Sequence, residues 1–503
     1  MAVGSSILEA ILAVPARIGI FASIFLLVIL LSCGYILYNV YLHPLSSYPG
    51  PFWSAATHIP RVRVLLSGQL SYHVLELHEK YGDVVRIGPN ELSYNNANAW
   101  KDIYGFKQGQ AQLPKDPNFY TAPPGGAHSI ITTDAVGHSR MRRLVAHAFS
   151  EKALREQEPL MKGYMDLFIQ RLRENCDNGK NKLDIVSWFN WTTFDIIGDL
   201  MFGEPFDCLE KVGYHPWVSI LFDSIKAATI FSTTALFPGA QTVIMALAPK
   251  KLIETRDYHQ NLVVEKVKAR LDRVTDRADF MTYIVRHNDE RGMSVPEIEA
   301  TSNAIMIAGS ETTATLLSGV TYNLLKSPET MKKLVDEIRG AFKTEDEITL
   351  IGVGKLKYLL AVLDEGLRMY PPVPVGLPRN VPAQGTIIND KFVPPKTLVS
   401  VNQWASYHTE KNFREPNSFI PERWLGDSRF ASDAKDVVQP FSVGPRNCIG
   451  KSLAYAEMRL ILVRLLWNFD LQLVPESHGW EHQEMYILWQ KDPLYITLTP
   501  RKI

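Results

Sequence analysis

The chain has 503 residues, 46% of them hydrophobic and 10% aromatic, and its 53 basic residues balance its 53 acidic ones. That composition describes a globular chain with a large core, and a zero net charge without a basic stripe excludes a nucleic-acid binder. Four widely spaced cysteines, Cys33, Cys176, Cys208 and Cys448, make no C-x-x-C pair, which argues against a disulfide framework or a structural zinc site and points to a reducing compartment.

From Ile18 to Leu42 there is no charged residue. The run exceeds the apolar core of a signal peptide, about 7–15 residues, and matches the roughly 20 residues a helix needs to cross a bilayer. Tyr35, Tyr38 and Tyr41 gather at its C-terminal end, where amphipathic rings favour the membrane interface. We read a tail over 1–17 and a transmembrane anchor over 18–42, with a cleaved signal or a buried helix as the alternatives. The next stretch carries Pro44, Pro49 and Pro51, which predicts a stiff hinge over 43–60 leading into a body over 61–503.

In the body, Val84–Gly88 and Glu91–Tyr94 predict a hairpin around Pro89-Asn90. Apolar periodicity predicts mostly helix from about residue 138 to 326, interrupted near Phe202–Pro205 and Phe237–Gly239. Ser294, Pro296 and Glu297 mark a helix start with a capping box, and Ser327-Pro328 ends the helix. A further helix is expected over Leu356–Met369 and a last one over Ile449–Asn468. Strands are expected at 385–388, 391–393, 397–401 and 494–498. The fold class is therefore mainly α with a smaller β-rich part.

Three clusters carry chemistry. Phe441 to Gly450 places Cys448 among an aromatic residue, two glycines and Arg446, just before an apolar helix. That setting suits a thiolate held against a metal from one side, its charge stabilised by backbone donors. Glu365 and Arg368 lie at i,i+3 on one helix face, a spacing that by itself describes a surface ion pair. Ala308-Gly309-Ser310-Glu311-Thr312-Thr313 puts a glycine, an acid and hydroxyls mid-helix, where they weaken helix propensity.

Phe441 to Gly450 matches F-x-x-G-x-R-x-C-x-G at each defined position, and so resembles the haem-binding signature of the cytochrome P450 superfamily. The other motifs follow in the same order, so the resemblance covers essentially the whole chain. It implies the cytochrome P450 fold with an N-terminal transmembrane helix, and haem b with Cys448 as the axial iron ligand. A thiolate ligand there pushes electron density onto iron and favours O–O cleavage. Phe441 belongs to the signature, Gly444 and Gly450 would admit close backbone approach to haem and sulfur, and Arg446 would meet a propionate. His138, Arg142 (with Arg140 or Arg143 as the alternatives in another register) and Arg379 are further propionate contacts by the same resemblance. Glu365 and Arg368 resemble the E-x-x-R motif, which with Arg423 implies a buried structural network. Gly309, Glu311 and Thr312 resemble the oxygen-activation motif: Gly309 clears the helix over oxygen, Thr312 bonds the oxygen or its water, and Glu311 relays protons.

The resemblance implies a monooxygenase that hydroxylates or epoxidises a hydrophobic small molecule, in the style of fungal secondary-metabolite enzymes acting on terpenoids, polyketides or alkaloids. It would use O2 and electrons from NADPH-cytochrome P450 reductase, since no dinucleotide fingerprint follows a strand here. Arg140, Arg143 and Lys451 are candidate contacts for that partner. The enzyme would sit in the endoplasmic reticulum membrane, single-pass, its catalytic domain facing the cytosol, with the sequon at Asn190 unmodified. Substrate contacts fall in 106–131, 206–240, 303–308 and 373–377, with Phe231, Leu236, Phe237 and Ile305 among the apolar ones. Two rivals are a reductase-independent haem-thiolate isomerase or dehydratase, against which the Glu311-Thr312 pair argues, and a non-catalytic haem-binding protein.

Overall fold

The capping box drawn from the sequence opens the longest element of the body. Glu297 accepts from the Ser294 backbone N–H at 2.9 Å, and the helix runs over Val295–Lys326. Its 32 residues at 1.5 Å each give about 48 Å, enough to cross the molecule. The computed structural model describes residues 22–502 apart from 108, 110, 122–125, 238, 247–249, 276, 287, 290 and 291. The tail over 1–17 and the first residues of the anchor lie outside these, as does Pro238.

The central helix packs on Ile185–Phe202, whose Trp188, Phe189, Phe194, Ile197 and Leu200 are all buried. A helix buried round its whole circumference is apolar on every face. Its threonines avoid buried unpaired hydroxyls by bonding backwards, Thr192 to Trp188 O at 2.8 Å and Thr193 to Phe189 O at 3.0 Å. Gly203 ends the helix at φ +72, a left-handed cap that glycine adopts without strain, as the predicted interruption requires. Asn190 is buried in this helix and donates to the Tyr214 hydroxyl at 3.1 Å, a setting that excludes a glycan.

Helices Lys357–Met369 and Lys451–Asn468 complete the core. The β-rich part holds a four-stranded sheet in the order Val84–Gly88, Glu91–Tyr94, Leu398–Val401, Arg379–Asn380. Glu91–Tyr94 pairs in parallel with Leu398–Val401, joining the start of the body to its end. A second sheet places Tyr495–Pro500 between Lys182–Asp184 and Phe469–Leu473.

Ala22–Leu42 is long and apolar enough to cross a membrane. The segment after it differs from the expected hinge. Short helices form at Phe52–Ala56 and Ile59–Leu66, Leu45 and Tyr48 are buried, and Asn39 donates to Ala56 O at 3.0 Å. The prolines end the anchor helix, as expected, but apolar side chains between them dock the connector onto the body.

Candidate active site

Residues 441–450 turn back tightly, with Ser442 and Gly444 at φ +57 and +75. The turn closes where the Cys448 N–H donates to Phe441 O at 2.8 Å. Helix Lys451–Asn468 starts three residues after Cys448, so the sulfur lies near the positive end of a helix dipole, which favours a thiolate. Burial pushes the Cys448 thiol up, while the Gly450 N–H and the charges of Arg142 and Lys451 pull it back. The residue is nonetheless accessible. An accessible thiol in so enclosed a setting lies on the wall of an internal space.

Arg379 and Arg446 face that region with buried nitrogens, Nε and Nη1, that find no partner among the described residues. Arg446 Nη2 donates to Thr133 O at 3.1 Å, and Arg379 Nη1 to Leu113 O at 3.3 Å. Burial and the neighbouring Arg379 lower Arg446 to about 10. Burial, then Arg446, Arg142, Lys115 and Arg379, lower His138 to about 3. Burial, then Arg379 and Arg446, lower Lys115 to about 6. The Arg379 and Arg446 guanidiniums repel one another and keep buried nitrogens without partners among the described residues, with Asp134 the opposing carboxylate on Arg446; such a pair is unfavourable alone and fits a cofactor that brings its own carboxylates. A porphyrin with two propionates would meet that requirement.

Arg142 lies within electrostatic reach of His138 and is bonded locally. Its two terminal nitrogens donate to Asn447 O at 2.7 Å and Asn447 Oδ1 at 2.6 Å, which clamps the loop beside the cysteine. Arg140, partly exposed, pairs with Glu297 at 2.6 Å. Phe441 packs on Tyr455 with centroids 5.4 Å apart. A Cβ on Gly450 would meet only ordinary contacts, the Cys448 sulfur at 3.9 Å among them. Gly444 answers first to the protein, abutting the carbonyl of Tyr104.

The central helix presents Ala304, Ala308 and Thr312, four residues apart and accessible in a helix otherwise mostly buried. Ile305 points into the core instead. The Thr312 hydroxyl donates to Ala308 O at 2.7 Å. Gly309 also packs closely on the neighbouring helix, since a Cβ there would lie 2.8 Å from Ile197 Cδ1. Glu311 is buried, bonded to Lys491 and to Thr315 Oγ1, the latter at 3.3 Å.

Beneath the site, Glu365 and Arg368 form a bidentate pair at 2.8 and 2.9 Å, and Arg423 Nε donates to Glu365 Oε1 at 3.0 Å. All three are fully buried.

The family model for cytochrome P450 matches residues 48–498. The chain belongs to the cytochrome P450 family. Among the relatives of this P450, "Cytochrome P450 monooxygenase astA" of Talaromyces wortmannii is 47% identical over 92% of this chain and 94% of its own. "Cytochrome P450 monooxygenase atr2" of Stereocaulon alpinum is 45% identical over 96% of each. "Trichothecene C-15 hydroxylase" of Fusarium sporotrichioides is 43% identical over 93% of this chain and 95% of its own. The protein is thus an enzyme of the cytochrome P450 monooxygenase class.

Sequence reasoning missed several residues of the P450 site. Asp433 bonds Arg423 and balances the buried network at two guanidinium groups against two carboxylates. Trp424 Nε1 donates to Glu365 Oε2 at 2.9 Å. Lys115 joins the cation cluster and stacks over Tyr120 at 4.3 Å, and Lys491 meets Glu311. The placement of Trp424 beside Arg423 was a usable signal for it; the others come from distant segments with no motif.

Proposed function

We propose that this P450 binds haem b with Cys448 as the axial thiolate and with Arg379, Arg446, His138 and Lys115 around the propionates, and inserts one oxygen atom into a hydrophobic small molecule. The observation that carries this is the accessible Cys448 thiol at a helix start, with Arg379 and Arg446 each keeping a buried nitrogen unpartnered among the described residues. When bound, the haem supplies dioxygen activation and oxidation of a C–H or C=C bond. Cys448 contributes thiolate charge to the metal, held by the Gly450 N–H and the Arg142 clamp on Asn447. Ala304 and Ala308 leave room for a substrate against the central helix, and Val373 and Leu377, partly accessible, offer further apolar surface. Thr312 stands within that space with a hydroxyl able to hand on a proton, and Glu311 next to it relays protons from behind the helix.

Electrons come from an NADPH-dependent reductase, the anchor Ala22–Leu42 sits in the endoplasmic reticulum membrane, and the body faces the cytosol. The relatives support a place in fungal secondary metabolism, and the one named a C-15 hydroxylase supports hydroxylation. The test is metabolite profiling after gene deletion, followed by turnover of the accumulated compound under isotopically labelled dioxygen. One labelled atom in the product and NADPH dependence are expected. Turnover of a hydroperoxide without NADPH and without label from dioxygen would overturn the proposal in favour of an isomerase.

A further inference from the structure

Lys491 follows the strand Trp489–Gln490. Its position is set by Trp489, which stacks on Tyr370 at 4.1 Å and donates Nε1 to Pro371 O at 2.7 Å. From there the side chain turns inward and is only 3% exposed, as is that of Glu311. The ammonium donates to Glu311 Oε1 and, at 2.8 Å, to Thr315 Oγ1, while Thr315 donates to the same Oε1. The second carboxylate oxygen, Oε2, is buried and has no partner among the described residues. Burial pushes the Glu311 carboxyl up, with Lys491 and Thr315 opposing. The phenols of Tyr214 and Tyr370 also lie within electrostatic reach.

A buried ion pair placed only for anchorage is expected to satisfy both carboxylate oxygens, because an unpaired buried acceptor is costly. Here both donors converge on one oxygen and the other is left open, one residue from Thr312. We propose that Lys491 is the positioning residue of the proton relay: its ammonium holds Glu311 ionised and occupies Oε1, so that Oε2 takes up and hands on the proton. This rests on the reading of Glu311 as the relay acid. Lys491 touches neither substrate nor cofactor and acts through Glu311.

The test uses the haem-loaded full chain. In Lys491→Met the protonated-carboxyl C=O stretch of Glu311 should appear in the infrared at neutral pH, vanish in Lys491→Met/Glu311→Gln, and titrate away as pH rises. In Lys491→Arg it should be absent, as in the parent protein. With a microsomal reductase, NADPH and no added substrate, O2 uptake by Lys491→Met should fall roughly tenfold or more, part of the roughly 10²–10⁴-fold that general acid–base catalysis supplies. It should show an enlarged solvent deuterium effect and recover with rising pH. The reduced CO spectrum should not change. Lys491→Gln, which keeps a donor without the charge, gives the same measurements should the methionine variant fail to fold. An unchanged carboxyl signal and an unchanged solvent isotope effect in these variants would overturn the proposal. If Glu311→Gln leaves O2 uptake and its isotope effect unchanged, the relay reading itself falls; if it alone changes them, only the role of Lys491 falls.

Discussion

Gly444 lies so close to Tyr104 that a Cβ on the glycine would sit 2.1 Å from the tyrosine's carbonyl oxygen. The cysteine loop is thereby pressed against the end of helix Ala97–Tyr104, with Gly444 at φ +75. The Tyr104 hydroxyl in turn donates to Leu377 O at 2.8 Å, so one residue ties the loop to the segment that precedes Arg379.

Gly444→Ala should therefore misplace the loop. A strained positive φ and an overpacked contact together cost about 2–5 kcal/mol. Haem content per chain should drop severalfold and the melting temperature should fall. Wild-type values for both would show that the loop does not need this contact.

Asp433→Asn should be among the most damaging single changes away from the cysteine. Arg423 and Asp433 are both fully buried, and removing one partner of such a pair costs about 3–5 kcal/mol. Urea unfolding should show this loss, and an exposed pair such as Arg256–Asp257 should give less than about 1 kcal/mol when broken.

Glu457 predicts a pH dependence. It is buried on helix Lys451–Asn468, and burial pushes its carboxyl up from 4.5 to about 8, with the Thr313 hydroxyl opposing. The folded state then holds the proton more tightly than the unfolded state. The resulting stabilisation is complete below the unfolded value of 4.5 and is lost as pH rises to about 8, at up to about 1.4 kcal/mol per pH unit. Glu457→Gln should flatten the stability profile across that window and gain on the parent protein at its upper end. Parallel profiles for the two would contradict this.

The cation cluster gives a graded prediction. Arg446→Ala should lower haem retention most, since Arg446 Nη1 is unpartnered. Lys115→Gln should lower it less, because the lysine already donates to Ile131 O. Dialysis against apomyoglobin measures both rates of haem loss. Equal retention in both variants and the parent would mean that the cluster serves another anion.

Much of this was legible in the sequence, for reasons that can be named. The central helix was readable from Ser294 and Glu297 because a capping box is local. Cys448, Arg446 and Glu365 were readable because their spacing is motif-like. Asp433, Lys115 and Lys491 were not, since each meets its partner only after the chain has folded, Lys491 being 180 residues from Glu311. The protein contacts of Gly309 and Gly444 were hidden for the same reason: Ile197 and Tyr104, which crowd the position of a Cβ at each, belong to other helices. The docked connector over 43–60 was hidden because prolines describe where a helix stops, while Leu45 and Tyr48 decide where the segment packs.

The central claim is the bond between Cys448 and haem iron, and the reduced, CO-bound spectrum measures it most directly. The full-length protein should show the red-shifted Soret band of a thiolate ligand, and Cys448→Ser should lose it while Cys208→Ser keeps it. A red-shifted band that survives in Cys448→Ser would contradict the account.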